Sequence, residues 1–83
     1  MDKTIYSAEY AIVLQLLREV RGKVGITQVE LADRIDETQS YISKIERGEL
    51  RLDVVELRTI CRALGVDFPT FVRRMEKSLG TKE

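Results

Sequence analysis

The 83-residue chain has no histidine and no tryptophan, one cysteine (Cys61) and one proline (Pro69). A lone cysteine excludes an internal disulfide. Without histidine it also excludes the Cys/His clusters that hold structural zinc. The usual general base is missing, and no glycine-rich phosphate loop, nucleophile elbow or cleft-like pair of carboxylates replaces it. The expectation is therefore a protein that is not an enzyme and needs neither metal nor cofactor. No run of about 18 apolar residues is present, so no membrane span is expected. The N-terminal MDKTIYSAEY lacks the basic-then-apolar order of a signal peptide, and a cytoplasmic location is expected. A surplus of charge is also absent: 14 basic residues balance 14 acidic ones. Residues 27–51 hold four basic and six acidic residues, a net −2. A polyanionic partner would have to be met by local placement of charge rather than by a global field.

What is present is helical punctuation. The length allows one domain, residues 1–83. Such a short chain buries only about 60% of its unfolded surface. Stability must then come from helix packing, from a second subunit, or from both. Apolar residues recur at helical spacing between glycines and capping residues, and five helices are predicted. The first spans 8–23, with Ser7 as N-cap, Gly22 and Gly25 at its end, and Tyr10, Val13, Leu14, Leu17, Val20 and Val24 on one face. Ile5, Ile12 and Leu16 form a second stripe. The second helix spans 28–35 behind the capping box Thr27-x-x-Glu30, with Leu31, Ala32 and Ile35 inward. The third spans 39–47, between Thr38 as N-cap and Gly48 as C-cap. The fourth spans 54–64, opened by Asp53-x-x-Glu56, stopped by Gly65, with Val54, Leu57, Ile60, Cys61 and Leu64 inward. The fifth spans 68–79, capped by Asp67, with Pro69 in its first turn. Residues 1–7 and 80–83 are expected to be flexible.

The segment 38–48, TQSYISKIERG, carries the functional signal. On a helical wheel Ile42 and Ile45 point inward, and Gln39, Ser40, Ser43, Lys44 and Arg47 share the opposite face. Glutamine can bond adenine through two atoms, lysine and arginine reach guanine or phosphate, and serine reads several base edges. Such a face on a short helix, behind a three-residue turn and another short helix, is a helix-turn-helix over about 28–47. Small Ala32 permits close approach of the two helices. Gln28 opens the second helix, whose amides can meet a backbone phosphate. Read alone, the same face could equally be a solvated surface.

The run GITQVELADRIDETQSYISKIERGE resembles the Cro/repressor-type (Xre-like) helix-turn-helix family, and LDVVELRTICRALGVDFPTF is similar to that family's fourth and fifth helices. The resemblance covers about residues 14–72. It implies an all-α, five-helix, lambda-repressor-like DNA-binding domain that acts on operator DNA, usually as a two-fold dimer. Carried over, Gln39, Ser40, Ser43 and Lys44 would face base edges, and Gln28, Arg47 and Arg51 the DNA backbone. Thr38 and Tyr41 join the backbone candidates, with packing against a neighbouring helix an equal alternative for Tyr41. The resemblance also implies an ion pair between Arg21 and Glu46, which otherwise read as two unrelated charges at the edges of their helices. Family turns often have glycine where this chain has Asp36, a residue type that tolerates the left-handed conformation. Asp36 and Glu37 suit the positive end of the third helix but repel phosphate if they face it.

Two surfaces are candidates for a homodimer: Phe68, Phe71, Val72 and Met75 on the fifth helix, with the end of the molecule formed by the fourth and fifth helices preferred, or the Ile5, Ile12 and Leu16 stripe. They could also pack on each other. Cys61, at helical spacing with Leu57 and Leu64, reads as an inert core residue rather than a redox sensor. The function expected is a sequence-specific transcriptional regulator, a repressor or autoregulator. The alternative is an antitoxin or bridging module with a toxin or other protein as its main partner.

Overall fold

The computed structural model describes residues 3–80, with side chains from Ala8 onward. Five helices follow one another: α1 (Lys3–Val24), α2 (Gln28–Arg34), α3 (Gln39–Glu46), α4 (Val54–Leu64) and α5 (Phe68–Ser78). No strand occurs among the described residues. The capping residues explain the starts. Thr27, Thr38, Asp53 and Asp67 each stand in extended backbone and accept the amide three residues on. At α2 and α4 the cap is reciprocal. Glu30 accepts from the Thr27 amide at 2.8 Å, and Glu56 from the Asp53 amide at 2.9 Å. Each such cap contributes about 1 kcal/mol. Gly65 ends α4 in the left-handed conformation, φ 77°, where a Cβ would be strained. Asp36 holds φ 60° between α2 and α3, the conformation glycine would otherwise supply.

The short α2–α3 turn folds these two helices against each other, and α1 lies across α3, α4 and α5. Leu14, Leu17 and Val20 of α1 meet Leu31 and Ala32 of α2, Ile42 and Ile45 of α3, Leu57, Ile60, Cys61 and Leu64 of α4, and Phe71 of α5 in one core. Burying a leucine or isoleucine contributes about 1.5–3 kcal/mol. Desolvation in this core pushes the Cys61 thiol from its usual 9.0 up to about 11. A buried thiol held neutral in this way is a poor nucleophile.

Several expectations are corrected. Helix α1 begins at Lys3, so Ser7 lies inside it rather than at its cap, and Gly22 is an interior residue. Val24 is exposed, because the last turn of α1 runs past the core. Val54 is 65% exposed: as the first residue of α4 it projects beyond the helices that cover Leu57. Leu16 is buried, because α5 packs on that side of α1. Phe71 is 0% exposed and cannot belong to a docking surface. Phe68 and Met75 lean on the same core. The stripes of α1 and α5 thus close the monomer on each other; the side chain of Ile5 lies outside the described residues.

Candidate nucleic-acid interface

Helix α3 is amphipathic over its eight residues. Ile42, Ile45 and Glu46 are buried, while Gln39, Ser40 and Lys44 are exposed and Ser43 is half-buried. Thr38 spends its hydroxyl on the Tyr41 amide at 3.1 Å, so its local role is to start the helix. Tyr41 is half-buried and packs against the core. Burial raises its phenol pKa, helped by the carboxylates of Glu56, Glu37 and Asp53.

The side of α3 that faces α1 is held by charge. Glu46, 5% exposed, receives Arg21 through two parallel bonds: Nε to Oε2 at 2.7 Å and Nη2 to Oε1 at 3.0 Å. The third arm of Arg21 donates to the Ile26 carbonyl at 3.0 Å. One α1 turn earlier, Arg18 donates to the Glu46 carbonyl at 2.7 Å. Such a buried pair stands only because its lone pairs and N–H groups are satisfied. Among the described residues no buried side-chain polar atom lacks a partner.

From Glu46 a chain of amides leads outward. Gln28 donates Nε2 to Glu46 Oε1 at 2.9 Å, and its own oxygen accepts from Gln39 Nε2 at 2.7 Å. A carboxylate only accepts, so it turns the nitrogen of Gln28 toward itself and the oxygen toward Gln39. Gln39 is then left with a free oxygen and one free N–H. That is the acceptor–donor pair adenine requires in the major groove.

The loop after α3 holds two arginines differently. Arg47 forms a two-point ion pair with Glu49, with 2.8 Å from Nε to Oε2, and also donates to the Ser43 hydroxyl. Both charges of that pair are 53% exposed, and Arg47 lowers the pKa of the Glu49 carboxyl through the hydrogen bond. Arg51 lies over the Tyr10 ring, 4.6 Å from its centre, and the Tyr10 hydroxyl accepts the Leu52 amide at 2.9 Å. Gly48 passes so close to α1 that a Cβ there would sit 3.4 Å from Leu14 Cδ1.

The roles of Arg18, Tyr10 and Glu49 escaped the sequence reading. Arg18 had a visible signal, three residues before Arg21 and so on the same helix side. Tyr10 and Glu49 had none, because their partners lie on a loop without periodicity.

Residues 17–71 match the family profile described as helix-turn-helix. The chain belongs to the Xre-like helix-turn-helix family. It has the fold of that family's DNA-binding transcriptional regulators. An uncharacterized HTH-type transcriptional regulator of Methanothermobacter thermautotrophicus is 40% identical over 50 residues, covering 60% of this chain and 72% of the relative. The solved structure of an XRE-family like protein from Pseudomonas syringae pv. tomato is 45% identical with a TM-score of 0.85, over 90% of this chain and 92% of that one. The restriction-modification controller protein C.Esp1396I, solved as a tetramer with its natural 35 base-pair operator, is 28% identical with a TM-score of 0.78, over 86% and 93%. No described helix is long and apolar enough to cross a membrane.

Proposed function

We propose that this family member is a sequence-specific regulator of transcription that inserts α3 into the major groove of operator DNA, as a homodimer and as a repressor or autoregulator. The observation that carries the reading is the amide chain from buried Glu46 through Gln28 to Gln39. It fixes a base-reading side chain in orientation before any DNA is met. Ser40, Ser43 and Lys44 complete the reading face, and Arg47 and Arg51 supply backbone contacts at its C-terminal end. Gln28, held between Glu46 and Gln39, retains one N–H for a phosphate. The similarity to a controller protein solved on its operator supports DNA as the partner. One such domain touches few base pairs, so two copies about 34 Å apart would read a near-palindromic site.

The test is selection of bound sequences from random duplex DNA at near-physiological salt, with Gln39→Ala/Lys44→Ala as control. A two-fold symmetric motif that vanishes in the control is the expected result. Absence of enrichment would sink the reading and turn attention to a toxin or other protein partner.

A further inference from the structure

The arginines around the C-terminal end of α3 are held by different kinds of partner. Arg21 and Arg47 pair with the carboxylates of Glu46 and Glu49, the salt bridges among the described residues. Arg18 gives an N–H to the Glu46 carbonyl. Arg51 meets an aromatic ring instead, its guanidinium carbon 4.6 Å from the centre of Tyr10. The choice of partner changes the field outside. A carboxylate cancels the charge it holds, and an incoming anion must displace it. A ring attracts the cation through its quadrupole and carries no net charge of its own. Exposed Arg51 therefore keeps its full positive charge toward solvent. That charge is scarce here, because residues 27–51 sum to −2. Tyr10 also grips the next residue: its hydroxyl accepts the Leu52 amide at 2.9 Å. One α1 side chain, half-buried and packed on the core, thus fixes the head of Arg51 and the peptide that follows it. Tyr10, Leu14, Arg47, Gly48 and Arg51 line one groove of about 250 Å³ between α1 and the loop after α3.

We infer that Tyr10 is a positioning residue for DNA binding: it holds Arg51 ordered and uncancelled in charge, ready for a backbone phosphate beside the C-terminal end of α3. The inference rests on the DNA reading proposed above and adds to it a residue that acts through Arg51 without touching DNA. An arginine side chain has many rotamers, and ordering it at an interface weakens binding. Here the ordering is done when α1 packs on the loop, before DNA arrives. Arg47, at the same groove, is in the opposite state: Glu49 neutralises it and must release it before a phosphate can be met. The groove thus holds one ready cation and one latent one. If Tyr10 only packed α1 on the loop, its loss would act on stability, and its effect on DNA would not depend on Arg51.

The experiment is a double-mutant cycle on DNA affinity, with the full chain titrated onto a labelled duplex across a salt series. The variants are Tyr10→Leu, Arg51→Ala and the two combined. Tyr10→Leu should weaken binding about two- to tenfold. It should leave the salt slope unchanged, because Arg51 still reaches its phosphate once bound. Arg51→Ala should lower that slope by about 0.9 per bound copy. Adding Tyr10→Leu to Arg51→Ala should weaken binding no further. Should Tyr10→Leu melt early, Tyr10→Phe takes its place in the cycle. It keeps the ring and frees only the Leu52 amide, so a smaller loss is expected, again absent without Arg51. Unchanged affinity in the Tyr10 variant would overturn the inference, and so would tighter binding, which would mean that the ring restrains Arg51 in the wrong pose. A loss that persists in the Arg51→Ala background would also overturn it, because Tyr10 would then be structural alone. A wild type that binds duplex DNA but ignores Tyr10 removes only this inference. A wild type that binds no duplex removes the DNA reading and this inference with it.

Discussion

Residues 46 and 47 are neighbours on the chain, yet the two sides of the C-terminal end of α3 treat charge in opposite ways. Glu46 turns inward to Arg21, Arg18 and Gln28, three side chains from two other helices. Arg47 turns outward to Glu49, two residues away. Both pairs are two-point contacts with a shortest bond of 2.7 or 2.8 Å. What separates them is water. The inner pair is shielded and joins elements 25 residues apart, so its loss strands a charge and unties α1 from α3. The outer pair is solvated on both sides, and such pairs contribute little to stability. Equal geometry therefore does different work: one pair builds the scaffold, and the other tunes a surface.

The largest effect that would break this comparison is at Arg21. Arg21→Ala should cost about 3–5 kcal/mol, measured by denaturant unfolding, because Glu46 stays buried without its counter-charge. A midpoint equal to the wild type would show that the inner pair is no more structural than the outer one. A smaller effect is expected one step along the amide chain. Gln28→Ala should cost about 1–2 kcal/mol in stability through the lost bond to Glu46. It should also relax base preference at the position read by Gln39, because that amide is no longer held. Selection from random DNA would show this, and an unchanged motif would mean that Gln39 needs no support. Smaller still is the outer pair. Glu49→Gln should leave the melting midpoint where it was, while freeing Arg47 and steepening the salt dependence of DNA binding. Arg51→Ala should flatten that dependence. If Glu49→Gln lowers the melting midpoint as Arg21→Ala does, the contrast fails.

Much of the fold is legible in the sequence itself. Four helix starts follow from Thr27, Thr38, Asp53 and Asp67, because a cap is a local device whose donor and acceptor are three residues apart. Helices α2 to α5 lie within one residue of the predicted ends for the same reason. Burial was harder to read. Val54 and Val24 have the right period for the core but sit where a helix outruns its neighbours, and periodicity cannot say where a neighbour stops. Phe71 and Leu16 were assigned to surfaces that cover each other, a fact that belongs to the packing of α1 on α5 and not to either segment. The exposed polar face of α3 was visible because its residues are close in sequence. The chain that orients Gln39 was not, because its members come from α1, α2 and α3.

One bond has a consequence for how the molecule comes apart. The Leu52 amide and the Tyr10 hydroxyl meet across 42 residues of chain. Closing so long a loop costs entropy before any contact is gained, so this bond belongs to the docking of the front of α1 rather than to any one helix. The Leu52 amide is therefore a clock for that docking. Its hydrogen exchange should follow partial openings in which α1 lifts away while α2 and α3 stay paired, and Tyr10→Phe should set that clock running faster.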